Sequence, residues 1–237
     1  MAVYIDQYFI PYEKQFDSGF RALADSYMSA ANSLEDENKM AGFGLMDSPM
    51  PMLFLYRHAL ELFLKSALIT VHRRFTSTYP KFDKEDFPSI SGKSIKNIHS
   101  IEQLWNGLQS LMDTHKHQLQ KIADTDWYDT PRDFVNALNK VHNFDVRSDV
   151  FRYPVTAYSA QDNQKSSYKK MEAAAIQARL DQKSNPAMIF AYKNEKDELT
   201  EIYQHDYDDL KPVYTSLKLA VETANGLAIG LHAELTG

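Results

Sequence analysis

Apolar residues recur at helical spacing over most of the chain. Tyr12, Phe16, Phe20, Leu23, Tyr27 and Ala31 fall on one stripe behind Pro11, which predicts an amphipathic helix over about 11–34. Asp47-Ser48-Pro49 and Pro51 then mark the start of a second helix that runs to about Phe75. Its positions from Leu53 to Val71 are nearly all apolar, the main exceptions being Arg57, His58, Glu61, Lys65, Ser66 and Thr70. The stretch 76–98, with Pro80, Pro88, Gly92 and scattered lysines, reads as a long loop. Ser100 and Gln103 form a capping box for a third helix, whose inward stripe is Ile101, Leu104, Trp105, Leu108, Leu111 and Met112. Thr130-Pro131-Arg132-Asp133 opens a fourth, with Phe134, Leu138 and Val141 on its core face and an end near Arg147. The last helix, about 208–235, is the most regular. Leu210, Val213, Tyr214, Leu217, Val221, Ala224, Ala228 and Leu231 line one side, Asp206, Asp208 and Asp209 favour its N-terminal end, and Ala224 and Gly226 permit close approach of another helix.

The segment between the fourth and last helices has a different texture. Phe151–Tyr158 and Met188–Tyr192 are short aromatic and β-branched runs expected to pair as a hairpin, with an alanine-rich helix around 167–182 between them. The predicted fold is all-α, a helical bundle in a single domain spanning 1–237. Its core covers about 1–150 and 205–237, and a small mixed insertion covers about 151–204.

A chain of 237 residues is long enough to bury a sizeable core. The absence of cysteine excludes thiol nucleophiles, disulfides, thiolate zinc sites and cysteine-held iron–sulfur clusters. The N-terminus shows no secretory-signal pattern, and no run of about 18 apolar residues exists to span a membrane, so a soluble cytoplasmic protein is expected. The net charge of −6 argues against a surface devoted wholly to nucleic acid. Cations nevertheless outnumber acids between Arg57 and His99, and acids dominate after Glu195.

The candidate chemistry lies on the second helix. At about 100° per residue, Arg57, His58, Glu61, Lys65 and His72 share one narrow arc. One reading is a line of groups for anion binding and proton transfer, in which Arg57 clamps a phosphate, His58 exchanges a proton and Glu61 holds either. The other is a solvent face with ordinary Arg57–Glu61–Lys65 ion pairs. His99, just ahead of the third helix, sits at the positive end of that helix's dipole, which favours neutral imidazole. Arg152, between Phe151 and Tyr153-Pro154, is a lone cation in an aromatic extended segment. No cofactor or metal is expected. Ser91-Gly92-Lys93-Ser94 lacks the first glycine of a phosphate loop, since Phe87 stands there; His115 and His117 cannot share a helix face; and His205-Asp206-x-Asp208-Asp209 reads as a capped helix start.

Three strings together suggest a family: Tyr56-Arg57-His58-Ala59-Leu60-Glu61-Leu62-Phe63-Leu64-Lys65, then His99-Ser100-Ile101-Glu102-Gln103-Leu104-Trp105, then Phe151-Arg152-Tyr153-Pro154. The combination resembles the HEPN-like helical proteins of prokaryotic defence and toxin systems over roughly 1–154 and 205–237. That resemblance implies a bundle of four or more helices, often a homodimer. In active members it implies a metal-independent ribonuclease in which an arginine and a histidine act on a phosphodiester with the 2′-hydroxyl as nucleophile. Those enzymes place a histidine after four to six residues beyond the arginine, and none of the eight arginines here is followed by a histidine at that distance. Two expectations follow: a site assembled from separate segments, with Arg57, His58, Glu61, His99 and Arg152 converging on RNA or a nucleotide phosphate, or a non-catalytic subunit that binds a partner protein.

Overall fold

The computed structural model describes residues 17, 19–41, 49–76, 86–165, 168–172, 189–205 and 210–236. Along these, the chain forms α1 (Phe20–Ala41), α2 (Met50–Phe75), a two-residue hairpin β1 (Ser89–Ile90) and β2 (Lys93–Ser94), and a 3₁₀ turn at Ile95–Asn97. Then come α3 (Ile101–Thr114), α4 (Lys116–Ile122), α5 (Arg132–Phe144) and α6 (Ser159–Lys165). The strands β3 (Tyr168–Lys170), β4 (Ile189–Lys193) and β5 (Leu199–His205) precede the closing helix α7 (Lys211–Thr236). The architecture is a helical bundle with a small antiparallel sheet.

Helix α2 is the axis of the bundle. It packs against α1, α3 and α7, while α5 closes the side between α3 and α7. Nearly every side chain from Met52 to Val71 is buried, so α2 is apolar around most of its circumference rather than on one stripe. Pro51 in its first turn fits a position where the missing N–H is no loss. Tyr56 ties three helices together: its hydroxyl lies 2.7 Å from Asn32 Oδ1 and 2.8 Å from Glu35 Oε2 of α1, and Glu35 accepts from Lys218 of α7 at 2.7 Å.

Several expectations are corrected. The start of the first predicted helix lies outside the described residues apart from Asp17 and Gly19, and α1 extends past Leu34 to Ala41. Its buried positions include Arg21, Ala24, Ala31 and Glu35, whereas Leu23 is 37% exposed. The rotation of α1 is set by a buried polar pair. Asp17 accepts the N–H groups of Gly19 (2.9 Å) and Arg21 (3.1 Å) and the Ser66 hydroxyl (2.7 Å), and Arg21 folds inward beside it. The described end of the 76–98 loop is ordered by the β1–β2 hairpin, whose turn is Ser91 (φ 52°) and Gly92 (φ 77°), a left-handed pair suited to a tight hairpin. The Ser100 hydroxyl accepts from Gln103 N–H at 3.3 Å, as its capping role requires. Helix α3 ends at Thr114, with His115 as the junction to α4, and α5 ends at Phe144 rather than near Arg147.

Residues 151–158 are turns, not a strand. Thr156 is held by Asp162 at the start of α6, and Lys165 donates to the Tyr153 carbonyl at 2.8 Å, bonds that use the groups a hairpin would need. The partner of β4 is β5, through a turn in which Asn194 Oδ1 accepts from Lys196 (2.9 Å) and Glu198 (3.0 Å). Residues 168–170 are strand where a helix was expected, and the rest of that expected helix, 171–182, has only Met171 and Glu172 among the described residues, neither of them helical. The acids Asp206, Asp208 and Asp209 also fall outside the described residues.

Candidate functional site

The stripe on α2 is neither a solvent face nor an open anion site. Arg57 is 4% exposed, Glu61 1% and Lys65 3%. The segment ahead of α3 and the turns after α5 lie across them, and together they form one continuous network. Lys65 Nζ meets Glu61 Oε1 at 2.8 Å and also donates to the Lys96 carbonyl at 3.4 Å. Arg57 Nη1 donates to Glu61 Oε2 at 3.3 Å, and its Nε faces Asp145 Oδ2 at 3.2 Å as a charge pair. Arg57 Nη2 donates to the His99 carbonyl at 2.6 Å and to Ser148 Oγ, which in turn donates to the same carbonyl at 2.7 Å. Ser148 adopts φ 60°, and Asp145 Oδ1 accepts the Val150 N–H at 2.9 Å, which closes the turn that delivers both residues.

Two cations and two carboxylates are thus buried as a neutral set, the condition under which burial of charge is tolerable. Their protonation follows from how well each is compensated. Burial pushes Glu61 up, but Lys65 and Arg57 together outweigh it and hold the carboxyl below its ordinary value. Burial raises Asp145, outweighing Arg57 and the backbone N–H groups of Val150 and Asp149 that oppose it, with the Asp149 charge adding to the rise. Burial also lowers the Arg57 guanidinium, with the two carboxylates opposing.

His99 sits at the edge of this network with its side chain 48% exposed. Its Nδ1 pairs with Glu61 Oε1 at 2.9 Å, and its Nε2 has no protein partner among the described residues. The backbone is fixed by Arg57 and Ser148 and the ring by Glu61, so the imidazole is held at both ends. His58 is separate from the network. It stacks on Phe54 (5.9 Å) and meets Tyr27 edge-on (4.7 Å), and its Nδ1 is buried without a hydrogen bond. Burial lowers its pKa, with Glu61 opposing and Arg152 among the cations that add to the effect. Arg152 is exposed and places its guanidinium 6.0 Å from the Phe54 ring centre. A narrow cleft with a cavity volume of about 10 Å³ lies between Phe54, Arg57 and His58 of α2 and Asp145, Ser148, Phe151 and Arg152 of the chain beyond α5.

All five candidates are therefore gathered in one region, with unequal parts. Arg57 and Glu61 are committed internally, and Arg57 has no face left for a phosphate. His99 and Arg152 are the two that are exposed, and His58 is half-buried. Asp145 and Ser148 were not anticipated: an Asp and a Ser after a helix end carry no special signal, and Ser148 lies 91 positions from Arg57. Among the described residues, no three His, Asp or Glu side chains are grouped to hold a metal ion. Ser91-Gly92-Lys93-Ser94 forms the hairpin turn, with no phosphate-binding helix behind it. No described helix is long and apolar enough to cross a membrane. No family model, curated protein or solved structure matches the chain.

Proposed function

We propose that the chain is a HEPN-like effector that acts on RNA phosphodiesters without a metal, with His99 as the proton-transferring group and Arg152 as the cation on the phosphate. The observation that carries this reading is the Glu61–His99 pair, 2.9 Å at Nδ1, with Nε2 at the surface. A carboxylate on one ring nitrogen fixes the tautomer and leaves the other nitrogen as a base. Nε2 takes the proton of a 2′-hydroxyl, the 2′-oxygen attacks phosphorus, and the bond to the 5′-oxygen breaks. The imidazolium returns the proton to that leaving oxygen, giving a cyclic phosphate and a free 5′-hydroxyl. Arg152 offsets charge on the non-bridging oxygens as it develops. Arg57 and Glu61 act through His99 as positioning residues.

A second reading, a non-catalytic subunit that binds a partner, draws on a different observation. Arg57 is consumed inside the fold, and the cleft beside it has a cavity volume of about 10 Å³, far below the roughly 300 Å³ at which small-molecule pockets begin. Cleavage of total RNA in EDTA by the wild-type protein, beside His99→Ala and Arg152→Ala shown to be folded by circular dichroism at the assay temperature, separates the two. Loss of cleavage in His99→Ala supports the first. RNA left intact by every protein selects the second.

A further inference from the structure

The register of the three-stranded sheet sorts its side chains into two unlike faces. Antiparallel partners share a face and alternate residues of a strand do too, so Tyr168 and Lys170 lie with Tyr203 and Phe190, and Tyr192 with Glu201. Tyr168, Phe190, Tyr192 and Tyr203 are therefore on one side. Ile202, the buried residue among the described side chains of the sheet, pairs with Ala191 on the other. A sheet with one solvated face ordinarily turns polar residues outward. Here the face opposite Ile202 carries four aromatic rings, Tyr192 exposed and Tyr168, Phe190 and Tyr203 half-buried, and among the described residues none of the four packs against the bundle core. They touch each other: Tyr168 meets Phe190 edge-on at 5.2 Å, and Tyr192 meets Tyr203 at 5.8 Å. Lys170 lies among them, bridged to Glu201 at 2.9 Å.

We propose that this aromatic face is a stacking platform for two or three nucleotides of single-stranded RNA, separate from the cleft at His99. The proposal rests on the reading that the protein acts on RNA, and gives that reading a substrate-holding surface. Two magnitudes favour nucleotides over a folded partner. Strand spacing and rise make the face on the order of 200 Å², far short of the roughly 800 Å² per partner of a stable protein interface. Same-face rings on β4 are about 7 Å apart along the strand, which suits bases splayed onto successive rings. Lys170, the lysine of β3 on this face, is paired with Glu201, and Lys193 with Asp197, while Lys169 lies on the opposite face and donates to the Asn163 carbonyl. Stacking rather than phosphate attraction therefore supplies the affinity, and binding falls little with added salt, unlike that of a lysine-lined groove.

The test uses the full chain carrying His99→Ala, so that the probe stays whole, with fluorescein-labelled dodecamers of uridine and adenosine read by anisotropy. Tyr192→Ala, Phe190→Ala and Tyr203→Ala are each expected to weaken binding roughly tenfold, Tyr192→Phe to retain it, and far-ultraviolet circular dichroism to stay unchanged. The proposal is overturned if neither dodecamer binds, or if binding is the same in the alanine variants. It is also overturned if the wild-type protein binds no RNA but sediments as a dimer that Tyr192→Ala dissociates, which would make the face a protein contact. Cleavage of RNA by the wild-type protein, measured in parallel, is independent of this result. Cleavage with sheet variants unaffected in binding removes the platform and keeps the enzyme; ring-dependent binding without cleavage keeps the platform and removes the enzyme.

Discussion

Arg57 donates to the backbone carbonyl of His99 at 2.6 Å. The arginine whose position suggests a phosphate clamp instead grips the main chain of the histidine next to it in space. Together with the Glu61 contact to the His99 ring, this makes α2 the mount for the one imidazole of the site that is both hydrogen-bonded to a carboxylate and open to solvent.

Removing Arg57 therefore costs stability before it costs anything else. Arg57→Ala leaves Glu61 and Asp145 with less compensation in a buried setting and is expected to lose about 3–5 kcal/mol, read as a lower urea midpoint. His99→Ala removes a half-exposed ring and is expected to lose about 1 kcal/mol. Equal midpoints for the two variants would contradict the buried network.

Two glycines of α7 make opposite predictions. A Cβ at Gly230 would come within 2.2 Å of the Trp127 ring, and that ring is pinned because its Nε1 donates to Glu234 at 2.9 Å. Gly230→Ala is expected to destabilise by about 1–3 kcal/mol. Gly226 has nothing within 4 Å of the same position, so Gly226→Ala is expected to stabilise by about 0.5–1 kcal/mol through helix propensity alone. Thermal melting of both variants checks the pair.

Acid should weaken the fold through His232 on α7. Burial, with Arg21 nearby and Asp17 opposing, lowers this imidazole to about 4. A depressed pKa gives stability that is whole above the unfolded value near 6.5 and is lost as pH falls toward 4, because the unfolded chain takes up a proton that the folded chain refuses. Burial acts in the same direction at His58. His232→Gln is expected to flatten the dependence of melting temperature on pH between 6.5 and 4.5. An unchanged slope would place the effect elsewhere.

Arg152 is exposed and outside the buried network. Arg152→Ala is therefore expected to change stability by no more than about 0.5 kcal/mol while lowering any RNA cleavage, a separation that melting and cleavage assays measure on one preparation.

The helices were legible in the sequence where packing is apolar. The stripe Ile101, Leu104, Trp105, Leu108 and Met112 is buried as its spacing requires, and so are Phe134, Leu138 and Val141. Periodicity misled where polar groups set the rotation. On α1, Leu23 lies outward because Arg21 turns in to Asp17, and on α2 the charged stripe is covered by segments far away in the chain. The same long-range pairing hid Asp145 and Ser148. Gly226 looked like the point of close approach on α7, yet Gly230 is the one pressed against Trp127, a contact with a loop that no helical period encodes. In the sheet, the aromatic run of β4 was recognised as a strand, but its partner was not, since 151–158 spends its polar groups on Asp162 and Lys165.

The neutrality of the buried set at Arg57, Lys65, Glu61 and Asp145 constrains the order of assembly. Three of the four charges travel on α2, and the fourth arrives only when the chain beyond α5 docks. An intermediate that buries α2 among α1, α3 and α7 first carries one cation in excess at its centre. Such a partly built bundle is penalised until Asp145 arrives, so the helices and the turn at 145–150 are expected to form, and to come apart, as a single cooperative unit.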